Sequence, residues 1–132
     1  MNSLGHIGLV VASRYSSTRL PGKALLKLGE HSILGFLLKR LSTSKLIDEL
    51  IVSTSINQED DAIEEEANRY GISIFRGSLE NVISRYANTV DHYNLDTVIR
   101  VTADSPFIDG FLIDTLITQI DQKINTIYTT RP

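Results

Sequence analysis

Residues 7–23 read IGLVVASRYSSTRLPGK. The apolar run Ile7 to Ala12 has the length and β-branched content of a buried strand. It opens into a loop, Arg14 to Lys23, that packs Arg14, Arg19 and Lys23 among the small hydroxyls of Ser16, Ser17 and Thr18. Three cations in one loop stand out in a chain of 132 residues whose net charge is -3. A strand that ends in a cationic, hydroxyl-rich loop is a place to hold phosphate, because donors and charges converge on one crowded spot. The loop lacks GxGxxG. It also departs from the P-loop, since Ala24 follows Gly22-Lys23 and Ser17 stands where that motif has its first glycine. A solvated turn around Pro21-Gly22 is the competing account of the same residues.

Outward from this stretch, strand and helix patterns alternate. Ser32 to Leu41 is apolar at 33, 34, 37, 38 and 41, a helical face. Leu50 to Thr54 reads as a second strand. Glu59 to Tyr70 reads as a helix with acids in its first turns and Gly71 as its stop. Ile72 to Phe75 is a third strand, Asn81 to Tyr93 a helix, and Thr97 to Thr102 a fourth strand. Asp109 caps a helix through Ile120, and Thr126 to Thr130 is a candidate fifth strand. This order predicts an α/β fold in one domain, 1–132: three layers, with a mainly parallel sheet and helices on both faces. Ligands of such sheets sit beyond the carboxyl ends of the strands. That edge would carry the Arg14–Lys23 loop, Thr54, the 76–85 segment and Asp104.

Composition narrows the function. Apolar residues make up 42% and charged residues 22%, as in a folded globular protein. The mild acidity argues against nucleic acid as partner. No cysteine is present, and His6, His31 and His92 are scattered, so no cysteine or histidine metal site is expected. No apolar run approaches the roughly 20 residues that span a bilayer, and no signal segment is visible, so the cytoplasm is the expected compartment.

Three groups bear on chemistry. Asp104 ends the run Val101-Thr102-Ala103 at the carboxyl end of a strand, where it would either cap a turn or help hold magnesium, which needs one or two protein carboxylates beside phosphate oxygens. Arg76, Asn81 and Arg85 lie around the start of a helix, as ordinary caps or as an anion site. The acids at 59–61 and 64–66 read as a solvated helix face, and Tyr70, Tyr86 and Tyr93 as packing residues.

The residues Ala12-Ser13-Arg14-Tyr15-Ser16-Ser17-Thr18-Arg19-Leu20-Pro21-Gly22-Lys23 resemble the nucleotide-binding signature of the cytidylyltransferases that activate acidic sugars. Phe75 to Tyr86 and Arg100 to Pro106 are similar to the spore coat polysaccharide branch of that family, and the resemblance covers roughly 7 to 130. It implies a nucleotide-diphosphosugar transferase (Rossmann-like) fold, here its N-terminal nucleotide half without the sugar-binding and dimerisation part, and it admits a homodimer. It also implies transfer of CMP from CTP to an acidic sugar, with Mg²⁺ as cofactor and pyrophosphate as product, in surface polysaccharide synthesis. Carried over by motif, Ala12 and Ser13 meet the base, and Arg14, Ser17, Arg19 and Lys23 hold ribose and phosphates. Thr54 flanks the base, Arg85 lies near the nucleotide, and Asp104 binds the metal. Arg19 and Lys23 are the catalytic pair. Ser84 departs from the Asp that relatives carry. A nucleotide-binding module without turnover, or a nucleotide-sugar-binding component of glycosyl transfer, is the alternative.

Overall fold

A computed structural model of the chain describes residues 4–16, 20–103, 105 and 107–120. Four parallel strands form the main sheet: β1 (Ile7–Ala12), β4 (Glu49–Ser55), β5 (Ser73–Gly77) and β6 (Thr97–Thr102), in the order β5-β4-β1-β6. Between β1 and β4 a small antiparallel ribbon pairs β2 (Lys27–Leu28) with β3 (His31–Ser32). The ribbon escaped the sequence reading because strands of two residues carry no alternation to detect; Gly29, at φ +70, makes its turn.

The helices are α1 (Ile33–Leu41), α2 (Asp61–Arg69), α3 (Val82–Tyr93) and α4 (Gly110–Gln119). Three of the four starts are set by short side chains. Ser32 Oγ accepts the amide of Gly35 at 2.8 Å, Asn81 Oδ1 that of Ser84 at 2.9 Å, and Asp109 Oδ1 that of Leu112 at 2.9 Å. Gly71, at φ +69, follows α2 as expected of a helix stop. Each apolar strand between them is covered on both sides. Ile7, Leu9 and Val11 of β1 pack with Leu34, Leu37, Leu38 and Leu41 of α1, Ile63 of α2 and Ile113 of α4. Val10 and Ile51 face the other way, against Tyr86 and Val90 of α3. The expected three-layer arrangement is therefore present, and burial of each such leucine or isoleucine contributes about 1.5–3 kcal/mol.

The candidate fifth strand, Thr126 to Thr130, lies outside the described residues, as do Ser17, Arg19 and Asp104. Among the described residues no helix is long and apolar enough to cross a membrane.

Candidate functional site

The chain leaves the sheet at Ser13, whose amide donates to Ser53 O at 3.1 Å, and the end of β6 is drawn alongside by Ala103 N on Ala12 O at 3.2 Å. Between these two strand ends lies a cavity of about 360 Å³. Ala12, Ser13, Arg14 and Ser16 wall it on one side, Lys23 and Ala24 close it, α3 contributes Val82 and Arg85, and β6 contributes Arg100, Thr102 and Ala103. Four cations thus face one cavity, and no described wall residue carries a carboxylate.

The loop is held in place from two directions. Gly22, at φ +75, donates its amide to Tyr15 O at 2.7 Å and so closes the turn that delivers Lys23. The amide of Tyr15 donates to Asp60 Oδ1 at 2.6 Å. Asp60 is fully buried and also accepts the Ser55 hydroxyl at the end of β4. This overturns the solvated-face reading for two of the acids, since Glu66 is buried as well. The signal for Asp60 was long-range: its partners are 45 and 5 residues away in sequence, and the first of them is a backbone amide.

Arg85 is only 2% exposed. Its Nη1 donates to Ser78 O at 3.1 Å, while Nε has no partner among the described residues. Burial pushes its pKa down, the like charges of Arg14 and Arg100 push the same way, and Tyr86 and Asp60 oppose them. Its stem passes Gly77, where a Cβ would come within 3.0 Å of Arg85 Cγ. Ser13 Oγ on the opposite wall is also buried without a partner among the described residues. Two buried donors without partners, on the walls of a cationic cavity, fit a polar, polyanionic ligand.

Of the site residues expected from sequence, the cavity brings together Ala12, Ser13, Arg14, Lys23 and Arg85. Thr54 is fully buried inside β4 and is not among the cavity walls, and its Oγ1 has no partner among the described residues. Arg76 and Asn81 separate from Arg85. Arg76 is spent on Ser55 O, Asn57 O, Asp61 and Glu64, and Asn81 caps α3. Arg100 was missed, although alternation along β6 places it on the same face as Thr102. Tyr86 packs as expected, and in addition carries the Arg100 guanidinium 5.2 Å above its ring. No group of three metal-ligating side chains occurs among the described residues, and Asp104 lies outside them.

The sequence profile described as Cytidylyltransferase matches residues 8–131. The chain is 44% identical over 105 residues to the uncharacterized protein MJ1063 of Methanocaldococcus jannaschii, covering 80% of this chain and 43% of that protein. It is 35% identical over 118 residues to the spore coat polysaccharide biosynthesis protein SpsF of Bacillus subtilis, covering 86% of this chain and 49% of SpsF. A cytidylyltransferase structure from Leptospira borgpetersenii superposes with a TM-score of 0.83 at 40% identity, over 86% of this chain and 48% of that one. The synthetase of CMP:2-keto-3-deoxy-manno-octonic acid, solved with CTP, shares the fold at a TM-score of 0.77 and 22% identity, over 86% of this chain and 46% of that one. The chain spans about half the length of the curated relatives it matches.

Proposed function

The chain belongs to the cytidylyltransferase family, and on that premise we propose that it holds CTP for transfer of CMP to an acidic sugar, with release of pyrophosphate. The observation that carries the reading is the cavity itself, with Arg14, Lys23 and Arg85 on its walls and buried donors at Ser13 Oγ and Arg85 Nε that have no partner among the described residues. A triphosphate is the ligand that such a wall neutralises.

In the proposed reaction a hydroxyl oxygen of the acceptor bonds to the α-phosphorus, the bond from that phosphorus to the bridging oxygen of pyrophosphate breaks, and the hydroxyl proton passes to water. Catalysis of this kind is mostly positioning and charge neutralisation. Ala12 and Ser13 lie where the chain turns out of the sheet and would meet the base. Arg14 and Ser17 would orient ribose and phosphates. Lys23 and Arg19 would offset the charge that builds on the departing pyrophosphate, and Arg85 would donate its spare Nε–H to a phosphate oxygen. Asp104 would hold Mg²⁺, which supplies further charge neutralisation at the phosphates. A product of this class would feed surface polysaccharide assembly, and a reaction that draws on CTP would run in the cytoplasm.

The test is titration of CTP, with Mg²⁺, into the chain and its Lys23→Ala and Asp104→Ala variants, with pyrophosphate release measured against acidic sugars. Loss of one such charge contact is expected to slow release by roughly 10²–10³. Equal CTP affinity in all three proteins would overturn the nucleotide assignment. CTP binding without any pyrophosphate release would overturn the transfer reaction and leave a binding module.

A further inference from the structure

Arg100 differs from the other cations of the cavity in where it comes from. Arg14 and Lys23 belong to the loop after β1, and Arg85 to the start of α3. Arg100 rises from the body of β6, in register with Val10, two residues before the last pair Ala12–Thr102. At about 3.3 Å of rise per residue its backbone sits roughly 7 Å back from the carboxyl edge of the sheet. Strand alternation puts Val98, Arg100 and Thr102 on the α3 face, where Val98 packs in the cluster that contains Tyr86.

The Arg100 guanidinium lies over the Tyr86 ring at 5.2 Å. A guanidinium has five N–H donors, so one that packs on a single tyrosine keeps donors for a planar partner. None of the described carboxylates pairs with it. Arg76 shows the contrast within the same protein, with two carbonyls and two carboxylates around one guanidinium. An arginine placed for stability is saturated here; Arg100 faces the cavity with no such set.

We infer that Arg100, on its Tyr86 shelf, is an anion subsite apart from the nucleotide loop, and that it takes the carboxylate of the acceptor. The inference rests on the nucleotidyl-transfer reading, which already assigns the phosphates to Arg14, Lys23 and Arg85. A planar carboxylate accepts two parallel N–H bonds from the exposed edge of a guanidinium, and so fixes the acceptor's orientation as well as its charge.

The experiment follows the arginine Nε–Hε signals of the ¹⁵N-labelled chain while 3-deoxy-manno-octulosonate or N-acetylneuraminate is added, with and without CTP. The methyl esters of the two acids are the neutral controls. At least one acid is expected to move the Arg100 signal, with its ester about tenfold weaker or worse. Arg100→Gln should lose acid binding by a similar factor while CTP affinity stays within about twofold, and Arg100→Lys should fall between. The inference is overturned if neither acid moves the signal, or if the esters bind as well as the acids. It is also overturned if Arg100→Gln costs as much CTP affinity as Lys23→Ala, which would make Arg100 part of the phosphate cradle. Failure of the unmodified chain to bind CTP would sink the transfer reading separately, because the titration without CTP reads the carboxylate subsite on its own.

Discussion

The amide of Tyr15 and the carboxylate of Asp60 meet at 2.6 Å across 45 residues of chain. The same carboxylate takes the hydroxyl of Ser55, so one buried acid ties the cationic loop to the end of β4. Asp60→Ala leaves both donors without an acceptor in a buried setting, and the expected loss is about 2–3 kcal/mol of stability. Asp60→Asn keeps one acceptor oxygen and should cost less. Both variants should weaken CTP binding by about tenfold or more, since the loop that carries Arg14 loses its anchor. Urea unfolding and nucleotide titration on the two variants check this. Unchanged CTP affinity in Asp60→Ala would mean that the loop needs no anchor there.

Gly22 makes the second demand on the loop. Its φ of +75 lies in the left-handed region, and an added Cβ would come within 3.2 Å of the Tyr15 ring. Gly22→Ala is expected to lose about 1–2 kcal/mol from the backbone term. Gly22→Asn should lose less of that term, because Asn tolerates this conformation. Nucleotide affinity should follow the same ranking, Gly above Asn above Ala, as the turn delivering Lys23 loosens. A ranking set by side-chain size alone would place Asn last and would point to the Tyr15 contact instead.

The order of elements was legible because each main-sheet strand and each helix has a strong period of its own. The cationic wall that the loop after β1 gives the cavity was legible for a different reason: its donors are adjacent in sequence. What escaped depended on contacts between distant residues. Asp60 looks like any acid at a helix start until Tyr15 and Ser55 are brought to it. Arg76 and Arg85 both look like arginines near a helix N-terminus, and only the fold shows that Asp61 and Glu64 consume one of them. Thr54 stands near the carboxyl end of its strand, and only the fold shows that it is fully buried. Arg100 is the one charged residue of β6, and the value of its position depends on Tyr86 standing opposite.

Asp114 contributes to the acid sensitivity of the fold. Burial raises its pKa, but the Ser44 hydroxyl, the Lys45 and Leu46 amides and the Lys45 charge together hold it below the usual carboxylate range. A carboxyl depressed in the folded state stabilises the protein above its unfolded pKa, and that contribution is lost as pH falls through the folded value. The window therefore opens below about pH 4. Asp114→Ala should lower stability at pH 7 by about 1–2 kcal/mol and should flatten the fall in stability below pH 4. Thermal unfolding from pH 2 to 7 checks both. An acid limb that stays as steep in the variant would place the titration on other carboxyls.

Arg85 offers the clearest separation of stability from function. Its guanidinium is buried with Nε unpartnered among the described residues, and its charge sits near those of Arg14 and Arg100. Removing a buried charge that lacks a close counter-ion relieves desolvation and repulsion. Against that gain stands the hydrogen bond to Ser78 O, whose loss costs about 1 kcal/mol. Methionine fills much of the same volume, so Arg85→Met should leave the ligand-free protein within about 1 kcal/mol of the parent, or more stable. CTP affinity should fall by about tenfold or more in the same protein, because the donor that fits a phosphate oxygen is gone. Denaturant midpoints and CTP titration on one preparation read both quantities. A variant that unfolds readily yet binds CTP as before would make Arg85 a strut between α3 and Ser78, and would remove it from the site.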